Sequence, residues 1–238
     1  MSETANLQLP LVASAQAQKH MTVNEALARI DVTAQLSAES RSLIAPPFVV
    51  QDGESYLVAD GATDAWLGQD GKLASFVNGG WIFLDPRAGW QLWIADEALR
   101  LMFDGVQWIE NVVASSPNKA SLRAEVIEVD FALSGGSSIE DTALIIPAHT
   151  SVLAITGRVL TEFTGDLTDW SLGVVGAETR YGSGLGLSVG TWLRGVTGQP
   201  VAYYAPTALR LTANGGTFAS GTIRLAVHLL QFDLPDAD

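Results

Sequence analysis

The chain has 238 residues, is 47% hydrophobic and only 16% charged, and carries a net charge of −13 with no cysteine. That length and apolar content suit one large or two small packed domains and exclude a disordered tail. The missing cysteines exclude disulfide frameworks, thiolate metal sites and cysteine nucleophiles, and the acidity argues against nucleic acid, whose phosphates need a Lys/Arg face.

The acid is spread evenly, with 14 acids against 7 bases in residues 1–120 and 12 against 6 in residues 121–238. It therefore reads as solubility, not as an acidic tail. After Lys119 every Lys/Arg position is arginine, which hints at fixed, planar contacts. No run approaches 18 apolar residues and no basic segment precedes an apolar core at the start, so we expect neither membrane insertion nor a signal peptide. Work outside a cell then implies another exit route, such as assembly in the cytoplasm and release by lysis within a particle. The 23 glycines and 7 tryptophans suit many short strands joined by tight turns.

Residues 1–20 lack periodicity and read as an extended arm. A helix is expected to begin at Thr22, because Thr22-Val23-Asn24-Glu25 has the spacing of a capping box. Val23, Leu27, Ile30 and Ala34 then fall at steps of four, three and four and mark one apolar stripe. The helix should fade around Ser40–Leu43, ahead of Pro46-Pro47. On this reading Glu25 is a cap and not a catalytic base, and Lys19 and His20 lie in the entering chain, placed to touch a neighbouring subunit. A stripe of about three turns is short for a free helix, which suggests packing on other helices around a symmetry axis.

From Ser55 to Glu110 the pattern changes to short strands with an approximate internal repeat. "YLVADG" (56–61) resembles "LWIADE" (92–97), and "FVNGGWIFL" (76–84) resembles "MFDGVQWIE" (102–110). The Asn-Gly and Asp-Gly turns between an aromatic and a tryptophan predict tight hairpins. Trp81 and Trp108 therefore read as hairpin core, and 85–90 as a connecting loop. "ASSPNKAS" (114–121) is small, polar and broken by Pro117, and reads as a linker.

Beyond it, about eight strand-like runs follow in roughly 110 residues, a count and spacing that suggest a two-sheet sandwich of jelly-roll type. The last run alternates, with Ile223, Leu225, Val227 and Leu229 on one face and Arg224, Ala226 and His228 on the other. The fold class expected is mainly β with a short N-terminal helix. Its parts are an arm and helix over 1–50, a small hairpin-rich domain over 51–113, and a C-terminal β-sandwich of carbohydrate-binding type over 122–238.

Chemistry is sparse. His20, His149 and His228 have no second ligand at metal spacing. Asp166 and Asp169 lack the ligand ladder of a calcium loop. "YGSGLG" (181–186) precedes no helix and so is neither a nucleophile elbow nor a dinucleotide loop; it reads as a flexible loop at a sandwich edge. Glu162, Asp166, Asp169 and Glu178 could face each other across a sugar, but nothing suggests the long groove of a depolymerase. We expect no enzyme activity, no cofactor and no metal.

Binding fits better. The last domain interleaves Trp170, Tyr181, Trp192, Tyr203 and Tyr204 with Asp166, Asp169, Glu178, Arg180 and Arg194. Aromatic faces stack on sugar C–H faces while carboxylates and guanidiniums take the hydroxyls. Trp170 and Tyr203 are expected in the core, whereas Trp192, in "VGTWLRGVTG", reads equally as core or as an exposed loop. The candidate sugar contacts are Trp192, Arg194, Tyr181, Arg180, Asp166, Asp169 and Tyr204.

"LPLVASAQAQKHMTVNEAL" (9–27) resembles the opening signature of a tail-fibre or head-spike family found in alphaproteobacterial prophages and gene transfer agents. The resemblance continues through residues 45–97 and returns at "LRLTANGGTFASGTIRLAVH" (209–228). It implies a homotrimeric fibre, docked by its N-terminal region to a head or tail spike-base protein, whose C-terminal domain recognises host capsular polysaccharide. Gln18, Lys19, His20, Thr22, Asn24, Glu25, Ala26 and Leu27 match the signature; with Ile30 of the stripe they are assigned to attachment and assembly. The family supplies no sugar-contact motif. Two other readings stay open: a purely structural fibre or adaptor that binds another particle protein, and a polysaccharide depolymerase.

Overall fold

The structure is a computed structural model that describes residues 3–13 and 19–237, and of Lys19 and His20 the backbone only. The chain divides into two compact units, Met1–Val112 and Val113–Asp238. The arm and helix thus belong to the same unit as the hairpins.

Helix α1 runs Lys19–Thr33. It starts before Thr22, so Thr22 and Glu25 form no capping box; Glu25 instead pairs with Arg29 one turn on, at 3.2 Å on the surface. It ends at Thr33, seven to ten residues earlier than expected. The Thr33 hydroxyl donates back to the Arg29 carbonyl at 2.7 Å, and Ser37–Ala38 is taken as strand β1 alongside β5 (Gln91–Ile94). Strand pairing outcompetes helix propensity there.

The buried face of α1 is also turned from the expected stripe. Ala28, Asp31 and Val32 are buried, whereas Met21, Val23 and Ile30 are exposed. Asn24 and Asp31 account for the rotation, because both hold the arm. Asp31, 5% exposed, accepts from the Thr4 hydroxyl at 2.6 Å and from the backbone N–H groups of Asn6 at 3.0 Å and Leu7 at 2.7 Å. The Asn24 amide accepts from the Val12 N–H and donates to the Val12 carbonyl, at 2.9 and 3.1 Å. The arm is therefore a folded-back turn, closed by Thr4 N–H to the Leu9 carbonyl. Gly53 lets the turn approach, since a Cβ there would lie 2.6 Å from the Ala5 Cβ.

The internal repeat appears as two three-stranded antiparallel meanders. One is β2 (Ser55–Leu57), β3 (Leu73–Val77) and β4 (Gly80–Leu84); the other is β5, β6 (Leu99–Phe103) and β7 (Trp108–Glu110). The β3–β4 turn is Asn78-Gly79, both at positive φ, as a two-residue hairpin requires. The β6–β7 turn is held by Asp104, whose carboxylate accepts the N–H groups of Val106 and Gln107 at 2.7 Å. A 3-10 turn at Asp64–Trp66 drops Trp66 into the core against Tyr56 and Trp81.

Residues 114–121 are not a linker. They belong to the hairpin between β8 (Val112–Ser115) and β9 (Ser121–Ala132), closed by Ser116 N–H to the Ala120 carbonyl. Seven strands follow: β10 (Ile139–Asp141), β11 (Thr150–Gly165), β12 (Asp169–Val174), β13 (Ala177–Leu185), β14 (Trp192–Tyr203), β15 (Arg210–Asn214) and β16 (Phe218–Asp233). Hydrogen-bonded pairs join β9 to β16, β10 to β15, β11 to β14 and β12 to β13. Those are the pairs of one long hairpin folded at β12–β13. Rolling it brings β11 beside β16 and β12 beside β15, which gives sheets ordered β14-β11-β16-β9-β8 and β10-β15-β12-β13. That is jelly-roll topology.

The inner faces form one core that includes Ile155, Val159, Trp170, Leu172, Leu211 and the alternating face of β16. The alternation expected for β16 is therefore the observed one. All of "YGSGLG" but its last glycine lies within edge strand β13 rather than in a loop.

Candidate functional site

Alternation on the five-stranded sheet decides which side chains leave the core. Strand β11 turns Ile155 and Val159 inward, β14 turns Leu193 inward, and β16 turns Ile223 and Leu225 inward. Thr156, Arg158, Trp192, Arg194, Arg224 and Ala226 therefore face outward. Pairing then sets them in rows. Arg158 stands opposite Trp192 on one side and Arg224 on the other, and Arg224 stands opposite Asp130. The next row is Arg194, Thr156, Ala226 and Glu128.

The short side chains of Thr156 and Ala226 lie between long ones, and the result is a groove of about 490 Å³ lined also by Leu160. Trp192 is 63% exposed at its rim, with the Arg194 guanidinium carbon 5.9 Å from its ring centre, in cation–π range. Arg224 forms a two-pronged bond to Asp130 at 2.6 and 2.7 Å. That bond holds the Asp130 carboxyl below its ordinary range. The side chains of Arg158 and Arg194 have no ion pair or hydrogen bond among the described residues.

The candidate sugar contacts do not converge. Trp192 and Arg194 share the groove. Tyr181 is buried, its hydroxyl 2.6 Å from that of Tyr203, so its ring faces are closed to an external sugar; burial, then the Tyr203 contact, pushes its phenol up. Arg180 donates to the Tyr203 hydroxyl at 3.2 Å. Asp166 accepts from the Thr217 N–H and hydroxyl at 2.6 and 3.0 Å and so closes a turn; the backbone donor keeps its carboxyl low. Asp169 accepts from the Asn214 amide at 2.5 Å. Tyr204 is exposed beside His149, ring centres 6.5 Å apart. Trp192 stands on a strand, not on a loop.

Arg158, Arg224, Glu128 and Asp130 were not singled out from the sequence. Their signal was present in part, since the period-two pattern already turned Arg224 away from the core. What the sequence did not give was which strands are neighbours. Gly195 shows how tightly the layers constrain this strand: a Cβ there would lie 2.3 Å from the Tyr181 carbonyl.

The first unit has a groove of about 660 Å³ lined by Gln35, Trp90, Gln91, Trp93 and Arg100. Trp93 is 46% exposed and stands opposite Arg100 across β5–β6. Of the assembly residues, Thr22 and Glu25 are exposed, Leu27 is half-buried and Ile30 is 51% exposed. Gln18 and the side chains of Lys19 and His20 lie outside the described residues. Among the described residues no group of three or more His, Asp or Glu is arranged to hold a metal. No helix among them is long and apolar enough to cross a membrane.

Residues 23–109 match a family described as "Protein of unknown function (DUF2793)". No curated protein matches the chain in sequence. Among solved structures, a chain of the cyanophage Pam1 capsid asymmetric unit is 20% identical, the match covering 50% of this chain and 91% of that one with a TM-score of 0.36. A likeness that faint carries no argument about function.

Proposed function

We propose that this chain is a spike or fibre component of a phage-like particle, and that its jelly roll binds host cell-surface polysaccharide in the groove on the outer face of the five-stranded sheet. The observation that carries the reading is the exposed Trp192 ring set beside Arg194 and Arg158 over a floor of small side chains. A flat aromatic face takes the C–H face of a sugar, and the guanidiniums, Thr156 and Glu128 supply donors and acceptors for its hydroxyls. The place in a particle is supported by the resemblance of residues 9–27 and 209–228 to prophage and gene transfer agent fibres. The reading is binding and not hydrolysis, and what supports it is that Asp166 is taken up by Thr217 and Asp169 by Asn214.

The first unit serves assembly. The stripe of exposed Val23, half-buried Leu27 and exposed Ile30 has the four–three spacing of a helix seam and would join copies into a homotrimer, with the unit docked to a spike-base protein. The particle would assemble in the cytoplasm and leave by lysis. Linking shallow sites in this way raises avidity by roughly 10²–10⁴ without new contacts.

The test is retention of the recombinant protein on encapsulated cells and on an acapsular mutant, with the polysaccharide re-isolated and sized. Retention on capsulated cells alone, with chain length unchanged, is expected. Shortened polymer would make the chain an enzyme, and no retention on either strain would leave the structural adaptor.

A further inference from the structure

We infer that the polysaccharide taken by this groove is anionic, with a sugar carboxylate lodged between Arg158 and Arg194 while a sugar ring lies on Trp192. The inference rests on the reading above that the groove binds polysaccharide, and it names the chemical class. Its starting point is charge placement. Arg158 and Arg224 stand directly opposite each other on β11 and β16, and like charges in that position are destabilising. Arg224 is answered by the two-pronged bond from Asp130. Arg158 is not answered, and Arg194, its diagonal neighbour across β11–β14, is not either.

Carboxylates are not scarce. Residues 121–238 hold twice as many acids as arginines, and Arg123, Arg210 and Arg224 each take a two-pronged carboxylate. Of the three without one among the described residues, Arg180 donates to the Tyr203 hydroxyl, and the other two, Arg158 and Arg194, line one groove. Diagonal positions on neighbouring strands lie about 7–8 Å apart, so two long side chains can converge on one planar oxyanion, the geometry guanidinium matches best. The Trp192 ring holds the Arg194 guanidinium near it before a ligand arrives. The net charge of −13 does not forbid this, because charges beyond about 8 Å are largely screened at physiological salt.

The experiment is equilibrium binding of the full chain to capsular polysaccharide purified from a strain that retains it, compared with the same preparation after its uronate carboxyls are reduced to alcohols. The variants are R158Q/R194Q and W192A, each checked for an unchanged thermal unfolding curve. Wild type should bind the reduced polymer about tenfold or more weakly than the native one. R158Q/R194Q should bind native polymer as weakly as wild type binds reduced polymer, with no further loss on reduction. Equal binding of both preparations by wild type, with W192A defective on both, would overturn the anionic assignment and leave the polysaccharide reading standing. Failure of wild type to bind either preparation would overturn both.

Discussion

Trp93 in the first unit and Trp192 in the second each stand exposed on a sheet face beside an arginine and line a groove, yet their surroundings differ. Trp93 faces one arginine, Arg100, among amide side chains. Trp192 sits beside three arginines drawn from three strands, two of them without a carboxylate among the described residues. The larger groove is thus the poorer in chemistry. A cavity by itself says little; groups whose bonding capacity the fold leaves unused say more.

The same contrast runs through the polar residues of the two units. Asn24 and Asp31 are consumed holding the N-terminal arm, while the guanidiniums of Arg158 and Arg194 make no hydrogen bond or ion pair among the described residues. Four substitutions sharpen or break this comparison. Trp170→Ala should have the largest effect. The residue is 1% exposed and its indole N–H donates to the Gly186 carbonyl at 2.9 Å, so its loss should cost about 3–5 kcal/mol of jelly-roll stability in denaturant unfolding. Trp192→Ala should cost at most about 0.5 kcal/mol in the same assay. Asp31→Ala comes next. It leaves three part-buried donors of the arm without their acceptor and should cost about 1–2 kcal/mol in the first unit alone, with faster exchange of the Asn6 and Leu7 amides. Ile30→Asp should leave both units folded but lower the particle mass in light scattering; an unchanged mass would remove the helix stripe from assembly.

Acid should separate the units more gently. In the jelly roll Asp130, Asp141 and Asp233 are held low by Arg224, Arg210 and Arg123, and Asp166 and Glu178 by backbone N–H groups. In the first unit Asp70 is lowered, chiefly by the Ala62 N–H. A carboxylate with a depressed native pKa contributes stability that is present above about pH 4, its unfolded value, and is lost as pH falls through the native value. The jelly roll should therefore lose more stability than the first unit below pH 4, and modestly, since these groups face solvent. Equal losses on acid titration would show that the pairs contribute nothing.

Local signals in the chain were legible where structure is local. The alternation of β16, the Asn78-Gly79 turn and the repeated meander all follow from neighbours in sequence. The start and buried face of α1 were misread because Asn24 and Asp31 bond to residues far behind them, which apolar periodicity ignores. Residues 114–121 carry loop composition but are closed by strands on both sides. The groove was half legible. Trp192 and Arg194 lie on one strand, but Arg158, Arg224 and Glu128 join them only through pairings between strands that are distant in sequence. Tyr181 misled for the same reason, because nothing nearby in the chain marks Tyr203 as its partner.

The most direct test of the account is calorimetric titration of capsular polysaccharide, from a strain that retains the protein, into wild type, W192A and W93A. The account predicts that W192A loses binding by about tenfold or more while W93A binds as wild type does. Loss in W93A with binding intact in W192A would contradict it and move the sugar site to the first unit.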